Sequence, residues 1–114
     1  MNLIRIDHVS LNTADRRATH AWYAEVLGLH GTLHDQLDEP VFLGAGGAQL
    51  GLFGDRRPGV RHVALATDAR SQERIVARLD ALAVPYRAED HSASHSVYFA
   101  DPDGAMLEVM VPTR

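Results

Sequence analysis

The 114-residue chain contains no cysteine and no lysine. Without cysteine it has no disulfide, no thiolate nucleophile and no soft-metal ligand, so any metal must fall to histidine and carboxylate. Its 11 basic residues are all arginine, scattered as at Arg16, Arg56, Arg70 and Arg78, against 15 acidic ones, for a formal net charge of −4. Nothing gathers them into a stripe able to neutralise a phosphate backbone, which argues against a nucleic-acid partner. No apolar run approaches the roughly 18 residues that cross a bilayer. The opening MNLIRIDHVSLN alternates like a strand and lacks a charged lead followed by an apolar stretch, so no membrane partner is expected and a cytoplasmic location is. Aromatic residues are sparse at 6%, yet 46% hydrophobic and 23% charged is ordinary globular usage, and the length suits a single domain over residues 1–114.

What is present is a repeat. Residues 6–13, IDHVSLNT, resemble residues 60–67, VRHVALAT, and the match aligns His8 with His62. A helix-like segment follows each. In the first, Ala18, Trp22 and Val26 form an apolar stripe behind an Asp15 cap; in the second, Ile75, Leu79 and Leu82 do so behind a Ser71 cap. The first helix should stop at Leu27-Gly28-Leu29, where glycine accepts the left-handed conformation, and the second before Pro85.

Three strands are expected after each helix. They are His30 to His34, Val41 to Leu43 and Gln49 to Phe53 in the first half, and Tyr86 to His91, Ser96 to Ala100 and Met106 to Val111 in the second. The turn Asp101-Pro102-Asp103-Gly104 separates the last two, with Ala45-Gly46-Gly47 in the matching place. The expected fold class is therefore α+β, built of two βαβββ units at about residues 1–55 and 58–112.

Strand side chains alternate between faces, so parity sorts them. Val9, Leu11, Val63, Leu65, Val97, Phe99, Leu107, Val109 and Val111 are odd-numbered and apolar, which assigns them to the face under the helices. The even face carries Ile6, His8, Ser10, Asn12, His62, Ala64, Ala66, Ser96, Tyr98, Met106, Glu108 and Met110, a mixture that suits a lined cavity. Glu108 is the most informative, because Met-Leu-Glu-Val-Met-Val sets a carboxylate in an apolar strand, where a buried unpaired charge costs several kcal/mol. It either emerges on solvent, pairs with an arginine such as Arg5, Arg61 or Arg87, or meets a cation. Two histidines at equivalent repeat positions, with a carboxylate on the same face, match a ligand set of two imidazoles and one carboxylate for a divalent metal. The metal ligands expected are His8, His62 and Glu108.

From Asp7-His8-Val9 through Trp22-Tyr23 and Leu27-Gly28-Leu29 to Tyr98-Phe99-Ala100-Asp101-Pro102-Asp103-Gly104 and Leu107-Glu108, the chain resembles the vicinal oxygen chelate superfamily, which comprises glyoxalases, bleomycin-resistance proteins and extradiol dioxygenases. The resemblance implies a curved, partly open barrel around a metal and ligand cavity, with His8, His62 and Glu108 at three of four ligand positions. Gly51 stands at the fourth, where metal-dependent glyoxalase I members have an acidic residue; Gln49 lies two residues away on the same face. A three-ligand site with open positions resembles extradiol dioxygenases, with Fe(II) or Mn(II) as the first expectation and Zn(II) or Ni(II) as alternatives.

In extradiol dioxygenases the segment matching residues 91–98 holds an acid–base His and Tyr, which would here be His91 and Tyr98. The substrate pocket would be lined by Ser10, Asn12, Gln49, Phe53, Ser96, Met106 and Met110. A small-molecule substrate and a homodimer are implied. The alternatives are a fosfomycin-type thiol transferase, whose phosphonate-binding lysine has no counterpart here, a glyoxalase-like lyase, and a sequestering protein of the bleomycin-resistance type.

Overall fold

A computed structural model describes residues 3–36, 39–45 and 47–113. Met1 and Asn2 of the expected first strand, and Gly46 of the expected first hairpin turn, lie outside the described residues. The elements are β1 (Leu3–Thr13), α1 (Arg16–Leu27), β2 (Val41–Ala45), β3 (Ala48–Gly54), β4 (Gly59–Thr67), α2 (Ala69–Ala81), β5 (Arg87–Asp90), β6 (Ser94–Ala100) and β7 (Met106–Pro112). Together they make an α+β chain in which a strand–helix–strands plan occurs twice. Two compact units result: residues 8–61, and residues 62–113 with residues 3–7.

In the unit of residues 8–61, β1 runs parallel to β3, from Val9 opposite Leu50 to Thr13 opposite Gly54, and β3 runs antiparallel to β2. Leu29, Val41, Leu43 and Leu52 form its core, with Leu11, Tyr23, Leu33 and Leu50 packed against them. The other unit repeats the scheme with one more strand. There β4 lies parallel to β7, and β6 joins both β7 and β5 antiparallel.

The strand expected over His30 to His34 does not form. Only a single bridge, His30 to Gly44, remains of it. His34, Gln36 and Glu39 are held instead by Arg16, a buried residue whose guanidinium donates to the backbone oxygens of Glu39, Leu52, His34 and Gln36 at 2.8, 3.5, 3.1 and 2.9 Å. Within the expected strand only the His34 carbonyl is taken by this side chain; its other acceptors, at Gln36, Glu39 and Leu52, belong to the residues that follow and to β3.

Helix α1 also faces a different way from the stripe read in the sequence. Trp22 and Val26 are each 54% exposed, whereas Arg16, Thr19, His20, Tyr23 and Ala24 are covered to differing degrees. Tyr23 packs on the leucine-rich core one position away from Trp22, and Arg16 anchors the first turn, which together rotate the helix by about a residue. Its ends are as expected: the Asp15 carboxylate accepts from Ala18 N, and Gly28 closes the helix at φ +68°. In α2 the cap is Asp68 and not Ser71; the Asp68 carboxylate accepts from Ser71 N at 2.7 Å, which leaves Ser71 buried in the first turn. Leu82 lies at the C-cap and is exposed, so the covered face is Ser71, Gln72 and Leu79.

The Asp101 turn forms as read. The Asp101 carboxylate accepts from Asp103 N and Ala105 N at 2.9 Å each, and Gly104 adopts φ +89°. Parity holds as well. The Gln72 amide donates to the backbone oxygens of His95 and Val109, so α2 covers the odd-numbered face of its unit. A groove of about 360 Å³, floored by Val76, Ala88 and Val97, belongs to that helix-covered face. The even positions Ser96, Glu108, Ala64, Ala66 and Met110 point the other way and are buried.

Candidate metal centre

In the unit of residues 62–113, Glu108 sits on the middle strand β7 between Ala64 of β4 and Tyr98 of β6, its ladder partners on either side. The small side chain of Ala64 leaves room beside the carboxylate. His62, two residues earlier on the same face of β4, fills that room, with Nε2 3.0 Å from Glu108 Oε1. The other oxygen, Oε2, accepts from the Ser96 hydroxyl at 2.7 Å, and Ser94 Oγ lies 3.0 Å from Ser96 Oγ. All four side chains are buried. A carboxylate taken this far from water is stable only with such donors or a cation beside it.

Tyr98 borders this cluster. Its ring meets His62 edge-on at 5.9 Å and 86°, and its hydroxyl is 2.9 Å from His91 Nε2. Burial, and then the negative charge of Glu108 and a hydrogen bond to it, push the phenol well above its usual range. Tyr98 is therefore a neutral phenol throughout the neutral range. His91 is about two-fifths exposed and also lies 3.6 Å from Glu89, so it joins solvent to the half-buried phenol. The Arg87 guanidinium lies over the Tyr98 ring at 4.9 Å and pairs with Glu89 at 2.9 Å.

The unit of residues 8–61 presents His8, also buried, edge-on to Phe42 at 5.2 Å and 84°. Phe42 is the ladder partner of Gly51, and the parallel partner of Gly51 is Ser10. A Cβ added at Gly51 would meet Ser10 Oγ at 3.0 Å and the Phe42 ring at 3.1 Å. The place where the resemblance would put a fourth ligand is filled by an aromatic ring and a hydroxyl.

The remaining candidates are dispersed. Asn12 accepts from Arg61 at 3.0 Å, and the same guanidinium lies 4.0 Å above the Phe53 ring. Gln49 and Met106 are exposed, and Met110 packs with Ala64 and Ala66. Sequence reasoning missed Ser94 and Phe42. Ser94 shares a strand face with Ser96 by parity, and Phe42 stands opposite Gly51 as Tyr98 stands opposite Glu108, a signal visible only once the register is fixed.

Chemically, His62 and Glu108 offer an imidazole nitrogen and a carboxylate oxygen 3.0 Å apart in a buried setting without thiols, a donor set that fits a divalent first-row metal. Beside them, Tyr98 and His91 form a hydrogen-bonded pair reaching towards solvent.

The sequence matches the Glyoxalase/Bleomycin resistance protein/Dioxygenase superfamily over residues 5–109, and the chain belongs to that superfamily. Among solved structures it is similar to methylmalonyl-CoA epimerase from Mycobacterium tuberculosis, with TM-score 0.76 and 22% identity over 96% of this chain and 88% of that one. A Streptomyces coelicolor methylmalonyl-CoA epimerase variant in complex with 2-nitronate-propionyl-CoA gives TM-score 0.73 and 20% identity over 98% and 96%. The 2,3-dioxygenase LapB from Pseudomonas sp. KL28 gives TM-score 0.81 and 18% identity over 96% of this chain but only 41% of its own. These likenesses establish the fold. No curated protein has a significantly matching sequence.

Proposed function

We propose that this protein is a divalent-metal-dependent enzyme acting on a small oxygenated substrate, with His8, His62 and Glu108 as metal ligands and an extradiol-dioxygenase-like reaction as the leading activity. The observation that carries the reading is the contact of His91 with Tyr98 at 2.9 Å, beside the buried His62–Glu108 pair. His8 enters as the repeat counterpart of His62, buried like it and edge-on to an aromatic ring as His62 is. Fe(II) or Mn(II) suits two imidazoles and one carboxylate, and such an ion would supply Lewis acidity to two adjacent substrate oxygens. The chain's own residues would orient the substrate and handle its protons. Tyr98, held neutral, donates a hydrogen bond, while His91 can accept a hydroxyl proton from a catechol and release it to solvent.

A second reading has one observation in its favour. The chain spans nearly the whole of the epimerases but less than half of the dioxygenase, so a single-domain enzyme moving a proton next to the carbonyl of an acyl thioester is the alternative. As part of the same proposal the protein is a homodimer, which would give the exposed Trp22 and Val26 of α1 an apolar partner.

The test is metal content of the wild type and of His8→Ala, His62→Ala and Glu108→Ala. One equivalent in the wild type and a loss of more than about 100-fold in affinity in each variant is expected, beyond the 10- to 100-fold typical of residues that only support a ligand. Unchanged binding in all three would overturn the assignment. Fe(II)-loaded protein is then given catechols under oxygen, and exchange of the substrate α-proton of methylmalonyl-CoA in heavy water is followed in parallel. Ring-cleavage absorbance supports the leading reading; proton exchange alone replaces it with the second.

A further inference from the structure

We propose that Ser94 and Ser96 form a hydroxyl relay that positions Glu108, so that Oε1 is presented to the metal while Oε2 stays occupied. This rests on Glu108 being a metal ligand, as proposed above. Each serine hydroxyl has one proton to give. Ser96 gives its proton to Glu108 Oε2, at 2.7 Å, a short bond of the charge-assisted kind. The Ser96 oxygen is then an acceptor, and Ser94, 3.0 Å away, is its donor. The direction of the chain is fixed: Ser94 to Ser96 to Glu108.

The strand makes this arrangement local. Ser94 and Ser96 are two residues apart on β6, hence on one face, and β6 is bonded directly to β7, which carries Glu108. Burial makes it rigid, for Ser96 is fully buried, and Ser94 and Glu108 nearly so. Oε1 meets His62 on the other side of the carboxylate. A carboxylate gripped at one oxygen cannot swing to offer both without breaking a buried bond, so its bite is set before a metal arrives. Neither serine needs to touch substrate. Ser96 thus acts as a positioning residue, a role distinct from lining a substrate pocket.

The experiment is isothermal titration of metal-free protein with Mn(II), alongside thermal melts of the same metal-free samples, for wild type, Ser96→Ala, Ser96→Thr, Ser94→Ala and Glu108→Ala. Ser96→Ala should bind Mn(II) about 10- to 100-fold more weakly. Ser94→Ala should fall between it and wild type, and Ser96→Thr, which keeps the hydroxyl, should stay close to wild type. A hydroxyl that merely satisfies buried atoms would lower the metal-free melting temperature and leave affinity alone; that result overturns the relay. If Ser96→Ala does not fold, Ser94→Ala against Ser96→Thr decides in the same way. Wild type and Glu108→Ala binding Mn(II) equally would sink the metal assignment itself, an outcome separate from wild-type binding that is indifferent to the serines.

Discussion

Each unit sets a histidine edge-on to an aromatic ring, His8 to Phe42 at 84° and His62 to Tyr98 at 86°, and the two differ in what stands opposite the ring. Across the ladder from Tyr98 is Glu108; across from Phe42 is Gly51. Neighbouring positions change in step. The parallel partner of Glu108 is Ala64, which leaves space, whereas that of Gly51 is Ser10, which together with Phe42 takes it up. A duplicated scaffold can therefore keep its backbone register while one copy holds an anion and the other closes over the vacancy with a ring. Polarity moves with it: Tyr98 carries a hydroxyl bonded to His91, and Phe42 has none to offer.

The units differ as sharply in how the segment after the helix is held. Residues 62–113 use a regular strand, β5, and residues 8–61 use Arg16 in place of one. Breaking this contrast should give the largest stability effect. Arg16→Ala removes a charged donor from four backbone oxygens, and hydrogen bonds to charged groups contribute about 1.5–3 kcal/mol each before the freed carbonyls regain water. Most of these carbonyls are only partly buried, so a net loss of about 2–4 kcal/mol is expected in urea unfolding. Arg70, in the first turn of α2 and exposed, should lose under about 0.5 kcal/mol as Arg70→Ala. Equal losses at the two positions would remove the distinction.

Much of this architecture was legible in the sequence because its signals are local. Period-two alternation put His62, Ser96 and Glu108 on one face, and the Asp101 turn and the Asp15 cap are formed by residues two to four apart. The Arg16 clasp was not legible, since it joins residues 18 to 36 positions distant and nothing local to His34, Gln36 or Glu39 announces that their carbonyls meet a guanidinium. The face of α1 was misread for a related reason. Trp22 and Val26 are more hydrophobic than His20 and Arg16, and only tertiary packing through Tyr23 makes the less apolar stripe the covered one. Ser71 was the cap expected for α2, and the geometry instead uses Asp68, three residues earlier, whose carboxylate accepts from Ser71 N.

A smaller effect should sharpen the contrast between Gly51 and Glu108. In Gly51→Ala the backbone conformation is acceptable to alanine, and a strand gains roughly 0.5–1 kcal/mol from losing a glycine. Against this stands a Cβ at 3.0 Å from Ser10 Oγ and 3.1 Å from the Phe42 ring, and overpacking typically costs about 1–3 kcal/mol. The clash should win by about 1 kcal/mol, and Phe42→Ala in the same chain should remove the ring's share of it and leave the Ser10 Oγ contact. An alanine that stabilises the protein with Phe42 intact would mean that the ring and the Ser10 hydroxyl yield freely, and that the glycine does not mark a closed space.

The smallest effect concerns how each helix ends. Gly28 closes α1 at φ +68°, whereas α2 is followed by Ala83 at φ +56°, a left-handed conformation that a Cβ disfavours by roughly 1–2 kcal/mol. The turn holds because Ala83 N and Val84 N donate to the oxygens of Asp80 and Leu79 at 3.1 and 2.8 Å. Replacing Ala83 by glycine removes the strain but loosens the unfolded chain by about 0.4–1 kcal/mol, so the net gain should be near 0.5 kcal/mol, or about 2 °C in melting temperature. The reciprocal change, Gly28→Ala, has open space for its Cβ and so introduces backbone strain alone. It should lose about 1 kcal/mol, and calorimetry of the two variants should show shifts of opposite sign. Shifts of the same sign would mean that side-chain contacts, and not the left-handed backbone, govern how these helices end.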